Sequence, residues 1–320
     1  MNLKLINEPE LFQGRNKKRR YFEGWYFKQV SKDLKSSISI IPGISINSND
    51  KHAFIQTITN INTDSVNRVE THYHKFLIDD FKYNDEPFSL EIGDNKFSLS
   101  KVELRLTDIH GTVNFSDLTK IKVSKVFPNS MGYFAYLPIM ECFHGIISMS
   151  HDLSGTLTLN EETIDFCNGK GYIEKDWGTS FPKEYIWIQS NNFSDSDASI
   201  MCSIANIPFF GASFQGFICN LTFGGKEYRF ASYNHSKLTK VNDSKDVLNI
   251  AMVNSKFKLL LSAKMDVSGT LKSPKNGAMN NVIKEALNGT VDVRLINESG
   301  EIVFAGIGNP CGIENFKDSK

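Results

Sequence analysis

Apolar and polar positions alternate with a period of two along most of this chain, in short runs bounded by turn residues. In the first half the runs are Tyr21–Val30, Ser36–Ile46, Ala53–Thr59, Val69–Ile78, Phe97–Thr107, Gly111–Phe115 and Ile121–Val126. The second half continues with Tyr172–Trp177, Glu184–Ser190, Gly211–Phe223, Tyr228–Tyr233, Leu248–Met252, Lys256–Lys264, Gly269–Leu271, Thr290–Leu295 and Glu301–Phe304. Pro42-Gly43, Gly93-Asp94 and Gly224-Gly225 supply turns between them. Helical spacing occurs over Asn280–Asn288, where Val282, Ile283, Ala286 and Leu287 share a face ahead of Gly289. Together these predict a mainly β protein, barrel or sandwich, with one short helix in its C-terminal half.

The strand rhythm is interrupted by FPNSMGYFAYLPIMECFHGIISMS, Phe127–Ser150, a dense apolar and aromatic loop with two prolines. A domain break near Ser150 gives two modules, 1–150 and 151–320. EGWYFKQV…SSISIIPGI and EYIWIQSN…ASIMCSIANI repeat one order: Glu, an aromatic-rich strand ending in Gln, a polar turn, then a Ser-Ile run. That weak symmetry is compatible with duplication of one β module.

The stretch Gly169–Asn192 concentrates the side chains capable of chemistry. As a strand, Tyr172–Trp177 places Tyr172, Glu174 and Asp176 on one face and Ile173, Lys175 and Trp177 on the other. In Glu184–Ser190, Tyr185, Trp187 and Gln189 share a face opposite Ile186 and Ile188. In Tyr21–Val30, Tyr21, Glu23, Trp25, Phe27 and Gln29 alternate with Phe22, Tyr26, Lys28 and Val30.

Charge is balanced, with 36 Lys+Arg against 36 Asp+Glu, so no global field recruits nucleic acid or an anionic membrane. The run Arg15–Arg20 reads as part of a solvated lead-in over residues 1–20, with weak steering toward a membrane surface as its alternative. Phe is abundant, 24 residues, which suits a thick β core or a pocket for a greasy ligand. Five widely spaced cysteines without CxxC argue for reduced thiols rather than disulfides or zinc. No apolar h-region and no membrane-length apolar run occur, so a soluble cytoplasmic protein is expected.

Glu70, His72 and His74 share a strand face and could ligate a divalent metal, although an exposed polar face is the commoner meaning of such spacing. GIGNPCG lacks the helix and acidic residue of a dinucleotide site. G-x-S-x-G, Walker and HExxH motifs are absent, and the basic residues form no nucleic-acid stripe. In MECFHG, His144 reads either as a buried histidine with one hydrogen bond or as the cavity-lining partner of a carboxylate, and in an extended strand it does not share the face of Glu141.

YFEGWYFKQV, MGYFAYLPIMECFHGIISMSHDLSG, GYIEKDWGTSFPKEYIWIQSN and GTVDVRL…EIVFAGIGNPCGIE, in that order and over nearly the whole chain, resemble the tocopherol cyclase-like family. The resemblance implies two tandem lipocalin-like β-barrel modules, a small hydrophobic isoprenoid or prenylquinone ligand, and chemistry without cofactor or metal. The reaction for which the family is named closes a chromanol ring by adding a phenol oxygen across an alkene. That requires a proton donor, which apolar burial can keep protonated, and electron-rich rings worth about 0.5–2 kcal/mol each beside a developing cation. Glu174 or Asp176 is the first candidate acid and Glu23 the second. Trp25 and Trp187 are candidate cation-facing walls, and His144 a candidate acceptor of the phenol proton. Tyr26, Glu141, Tyr172, Trp177, Tyr185 and Gln189 complete the expected ligand-binding set. Two functions fit: acid-catalysed cyclisation or hydration of an isoprenoid double bond, and isoprenoid binding without chemistry. The sequence leaves oligomeric state open.

Overall fold

The computed structural model describes residues 3–62, 67–194, 196–209, 212–244 and 247–318. It divides into two compact units, Met1–Phe181 with Thr270–Ile283, and Pro182–Gly269 with Lys284–Lys320. The division falls at Phe181/Pro182 rather than near Ser150, which lies inside a strand.

The first unit is built on a twelve-stranded antiparallel sheet. Its strands are β1 (Tyr21–Val30), β2 (Ser36–Ile46), β3 (Lys51–Asn62), β4 (Asn67–Leu77), β5 (Phe81–Asp85) and β6 (Phe88–Ile92). They continue with β7 (Asn95–Ser98), β8 (Lys101–Arg105), β9 (Ile109–Ser116), β10 (Cys142–Leu159), β11 (Glu162–Asp165) and β12 (Lys170–Gly178). The order is 4-3-2-1-12-10-9-8-7-6-5, with β11 pairing β10.

The second unit's strands are β13 (Glu184–Ser190), β14 (Ser199–Phe209), β15 (Ala212–Phe223), β16 (Lys226–Ala231) and β17 (Lys237–Ser244). Their sheet also takes in β18 (Val247–Val253), β19 (Phe257–Lys264), β20 (Ser268–Lys275), β21 (Ala278–Asn297) and β22 (Ile302–Lys317), with β20 pairing β21, although Thr270–Ile283, most of β20 and the start of β21, belongs to the first unit. This sheet runs 16-15-14-13-22-21-19-18-17. Both paths open as four consecutive strands in reverse, and both then pair the unit's first strand with its last. The mainly β architecture expected from the alternation is therefore present, as two antiparallel sheets, and the shared order gives the sequence repeat a topological counterpart.

Two expected elements are corrected. Asn280–Asn288 is not a helix but part of β21, paired to β22 through Glu285↔Glu314 and Ala286↔Ile313. Neighbouring strands offer that segment more backbone partners than an isolated turn of helix could. The α-helix among the described residues is Leu3–Asn7. Ile121–Val126 is irregular chain: Ile121 is buried, but Val123 and Val126 are exposed and no strand flanks them.

Alternation in the first unit separates an apolar face from a polar one. Tyr21, Trp25 and Phe27 of β1, Ile38, Ile40 and Ile44 of β2, and Ile173 and Trp177 of β12 join one hydrophobic cluster. The opposite face is also buried, yet it carries Tyr26, Lys28, Ser37, Ser39, Gln56, Asn60, Tyr172 and Glu174. The strap Thr270–Ile283 lies against the far part of this face. Gln56 exchanges hydrogen bonds with the Lys272 backbone at 2.7 and 3.2 Å, and Ser45 Oγ donates to the Gly277 carbonyl at 2.8 Å.

Candidate functional site

Strand register decides which predicted residues meet. Tyr26 lies directly opposite Glu174, and Gly24 opposite Asp176, across the β1–β12 pair. From the other side β10 sets His144 opposite Asp176 and Ile146 opposite Glu174. Directly paired residues project to the same face. Tyr26, His144, Tyr172, Glu174 and Asp176 therefore share the polar face.

On that face the side chains form a chain of contacts. Tyr172 donates its hydroxyl to Glu174 Oε2 at 2.5 Å. His144 Nε2 lies 3.5 Å from the same oxygen, within ion-pair range, and His144 Nδ1 is 3.0 Å from Asp176 Oδ1. Tyr26 accepts a hydrogen bond from Ser39 Oγ at 2.7 Å. Side-chain exposure is 6% for Glu174 and 26% for Asp176, so Asp176 is the open end of the chain of contacts.

Burial alone would depress the His144 imidazole, but the adjoining Glu174 and Asp176 carboxylates outweigh it and raise the group to about 9. At neutral pH it is an imidazolium. At rest it therefore holds a proton, and it can take up another only after giving that one away. Burial, reinforced by the Glu174 charge, pushes the Tyr172 hydroxyl well above its ordinary value and keeps it a donor. Donor atoms of His144, Glu174 and Asp176 lie within 4.8 Å of one another, close enough to share a metal ion. Such an ion would compete with the imidazolium proton.

Glu23 and Trp25 lie on the opposite face and do not join this group. The Glu23 carboxylate meets Lys175 Nζ at 2.5 Å, with both side chains fully buried. It also accepts from Gln13 N–H (2.8 Å), Gly14 N–H (2.9 Å) and the Tyr21 hydroxyl (2.6 Å). A carboxylate held by four donors is poorly placed to give up a proton to a ligand. Trp25 does face a cation, but it is Lys175, whose Nζ sits 4.5 Å from that ring and 4.9 Å from the Trp177 ring. Lys175 further donates to the Pro9 and Leu11 carbonyls, and Trp25 Nε1 to that of Glu10. Residues 9–12 are thus a buried plug over the core rather than part of a solvated lead-in; Arg15–Arg20 are exposed.

The remaining expected residues divide between the units. Glu141 is exposed, and its backbone carbonyl accepts the Thr179 N–H at 2.8 Å. In the second unit Tyr185, Trp187 and Gln189 share a buried face of β13, as alternation predicts. Tyr185 donates a short hydrogen bond to Glu314, a carboxylate the sequence reading missed. Of the speculative metal set, His72 and His74 both approach Asp108, at 3.5 and 3.1 Å, and Glu70 lies 3.9 Å from His72. Lys175 was missed as well. A lysine alternating with Ile173 and Trp177 on an apolar face was the available signal, since a buried charge needs a partner.

The fold and this face define a two-sheet antiparallel β protein with a buried Tyr–Glu–His–Asp cluster on the first unit's last strand and its neighbour. The chain belongs to the tocopherol cyclase-like family, whose model matches residues 113–315, more than half its length. It is 33% identical over 78 residues to a probable chloroplastic tocopherol cyclase of Oryza sativa subsp. japonica, covering 24% of this chain but only 16% of that relative. CghA solved with Sch210972 superposes with a TM-score of 0.63 at 9% identity, over 94% of this chain and 89% of that one. Kievitone hydratase from Nectria haematococca gives a TM-score of 0.50 at 11% identity, over 93% and 89%. At such identities the structural likeness establishes fold alone.

Proposed function

We propose that this chain catalyses acid-driven addition of an oxygen nucleophile to an isoprenoid double bond, specifically ring closure of a prenylated hydroquinone, without a redox cofactor. The observation that carries the reading is the His144 imidazolium held between two carboxylates on a buried polar face. Family membership supports a hydrophobic prenylated substrate. In ring closure an O–H bond and the alkene π bond are lost while a C–O and a C–H bond form. No electrons are gained or lost, and the phenol returns the proton that the alkene takes.

Asp176, the more exposed carboxyl and the partner of His144 Nδ1, delivers the proton to the alkene, drawing on the imidazolium behind it. Glu174, fixed by Tyr172, holds the imidazolium charged and keeps the ring oriented. Tyr26 and Tyr172 add aromatic surface on the same face, where a developing tertiary cation gains from ring quadrupoles. The proton count of the cluster is unchanged over a turnover.

Incubation with a prenylated hydroquinone, followed by chromatography and mass spectrometry, tests the proposal. Cyclisation gives an isomer of unchanged mass, whereas hydration gives a product heavier by one water. Tight binding without either product would identify a carrier instead, and turnover unaffected by Asp176→Asn, Glu174→Gln and His144→Gln would sink the mechanism.

A further inference from the structure

Between β9 and β10 the chain runs from Asp117 to Glu141 without forming a strand. Its inner side is anchored. Ile121, Met131, Ala135 and Met140 are buried, Asn129 Nδ2 donates to the Ile6 carbonyl at 2.9 Å, and Ser130 Oγ donates to the His144 carbonyl at 2.7 Å. The turn at 122–127 closes on itself, the Ser124 N–H meeting the Phe127 carbonyl at 2.9 Å and the Phe127 N–H meeting Ser124 Oγ at 3.1 Å. The Tyr136 hydroxyl donates to the Lys125 carbonyl at 2.7 Å and ties this turn to the 3-10 segment Gly132–Tyr136.

What this braced loop turns outward is apolar and basic. Val123 is 57% exposed, Val126 60%, Tyr133 43% and Ile139 47%. Lys120, Lys122 and Lys125 are exposed among them. From Leu118 to Met140 these three lysines are the only charged residues, in a chain whose net charge is zero. Lys120 approaches Glu10 at 3.8 Å yet remains 62% exposed.

We infer that the segment 118–140 is a docking surface for an anionic lipid bilayer, with the Val123–Val126 turn entering the interface and the lysines meeting the headgroups. Between the exposed Asp117 and Glu141 at its two ends, the loop's exposed charge is all positive, which suits a lipid surface better than a protein groove, where charge signs are usually mixed. Valine and tyrosine tips enter the acyl boundary while lysine stems extend along it and keep their ammonium groups among the phosphates. Each lysine near such a surface contributes about 1 kcal/mol, or about fivefold in partitioning. The inference stands on this surface and does not depend on the proposed reaction, although a membrane is where a prenylated substrate would be met.

Flotation of the purified chain with vesicles of phosphatidylcholine, alone or mixed with phosphatidylglycerol, tests it without any substrate. Binding is expected to the anionic vesicles, falling with added salt. Each of Val123→Asp and Val126→Asp should lower partitioning by about tenfold or more, and Lys122→Gln with Lys125→Gln by about 25-fold together. The lysine pair, altered only at exposed side chains, supplies an independent readout if the aspartate variants fold poorly. Lys18→Gln with Arg19→Gln, in the other exposed basic run, should leave most binding intact. Failure to bind anionic vesicles, binding that survives the loop variants, or binding lost only in the Lys18/Arg19 variant would each overturn the inference. Turnover in detergent micelles, measured separately, reports on the proposed reaction alone.

Discussion

Two histidines of β10, His144 and His151, lie over opposite faces of β12, and they hold their protons in opposite ways. His144 meets two carboxylates and is raised to about 9. His151 stands over Gly171, where any Cβ would fall 2.1 Å from its Nε2, and packs against the Phe115 ring at 4.6 Å. There burial dominates and lowers it to about 3, with Asp152 opposing only in part. The two are seven residues apart on β10 and pair with Asp176 and Gly171, five apart on β12, so alternation alone sends them to opposite faces. The carboxylates divide likewise. Glu23 is saturated by Lys175 and three further donors on the core side, while Glu174 has a tyrosine and an imidazolium on the polar side. The comparison teaches that burial alone favours the neutral ring, and that carboxylates on the same face reverse that direction.

The largest expected effect breaks the polar face. Asp176→Asn should lower turnover by about 10²–10⁴-fold, the range of a lost general acid, with His144→Gln close behind and ligand binding retained in both. Turnover of the unaltered chain should fall as pH rises through about 9, where His144 loses its proton, and that limb should move to lower pH in Asp176→Asn. A limb that stays in place would detach His144 from the chemistry.

The next effect breaks the core face. Lys175→Met leaves the Glu23 charge buried and should cost about 3–5 kcal/mol in chemical denaturation, whereas the double variant with Glu23→Gln should recover part of that loss. No recovery would mean that the two side chains do not act as a pair.

A smaller effect sharpens the contrast between the histidines through the pH dependence of stability. His144, raised above its unfolded value of 6.5, contributes stability that is full below pH 6.5 and lost as pH rises toward about 9. His151, lowered from 6.5, makes the fold lose stability as pH falls from 6.5 toward about 3, because the unfolded chain then binds the extra proton. Melting temperature against pH should therefore lose part of its alkaline decline in His144→Gln and keep its acid decline. The reverse result would exchange the two assignments. Least of all, Tyr172→Phe should reduce turnover by about 10- to 10²-fold, since it removes one hydrogen bond to a charged group worth about 1.5–3 kcal/mol.

Much of this arrangement was legible in the sequence because a strand's period is short and local. The split of Tyr172, Glu174 and Asp176 from Ile173, Lys175 and Trp177 needed only the knowledge that residues 172–177 are extended. Non-local facts were not legible. Whether Glu23 shares a face with Glu174 depends on which residue of β1 meets which of β12, and the observed pairing, Tyr26 with Glu174, sends them apart. Residues 280–288 satisfy a helical spacing and, in Ile283, Glu285 and Leu287, an alternating buried set equally well; only the neighbouring strand decides. β17 was missed because its mostly exposed residues, KLTKVNDS, carry little apolar alternation. The plug at residues 9–12 has no period at all, being placed by a lysine far along the chain.

That plug has a consequence for how the protein is made. Pro9 is held by Lys175, 166 residues later in the sequence, and Glu23 finds its countercharge in the same lysine. During synthesis residues 9–12 leave the ribosome long before Lys175 exists, carrying Leu11 and Phe12 without a core to enter. Contacts of such sequence separation form late and slow folding. Residues 9–12, made well before Lys175, are therefore among the last of the first unit to find their places.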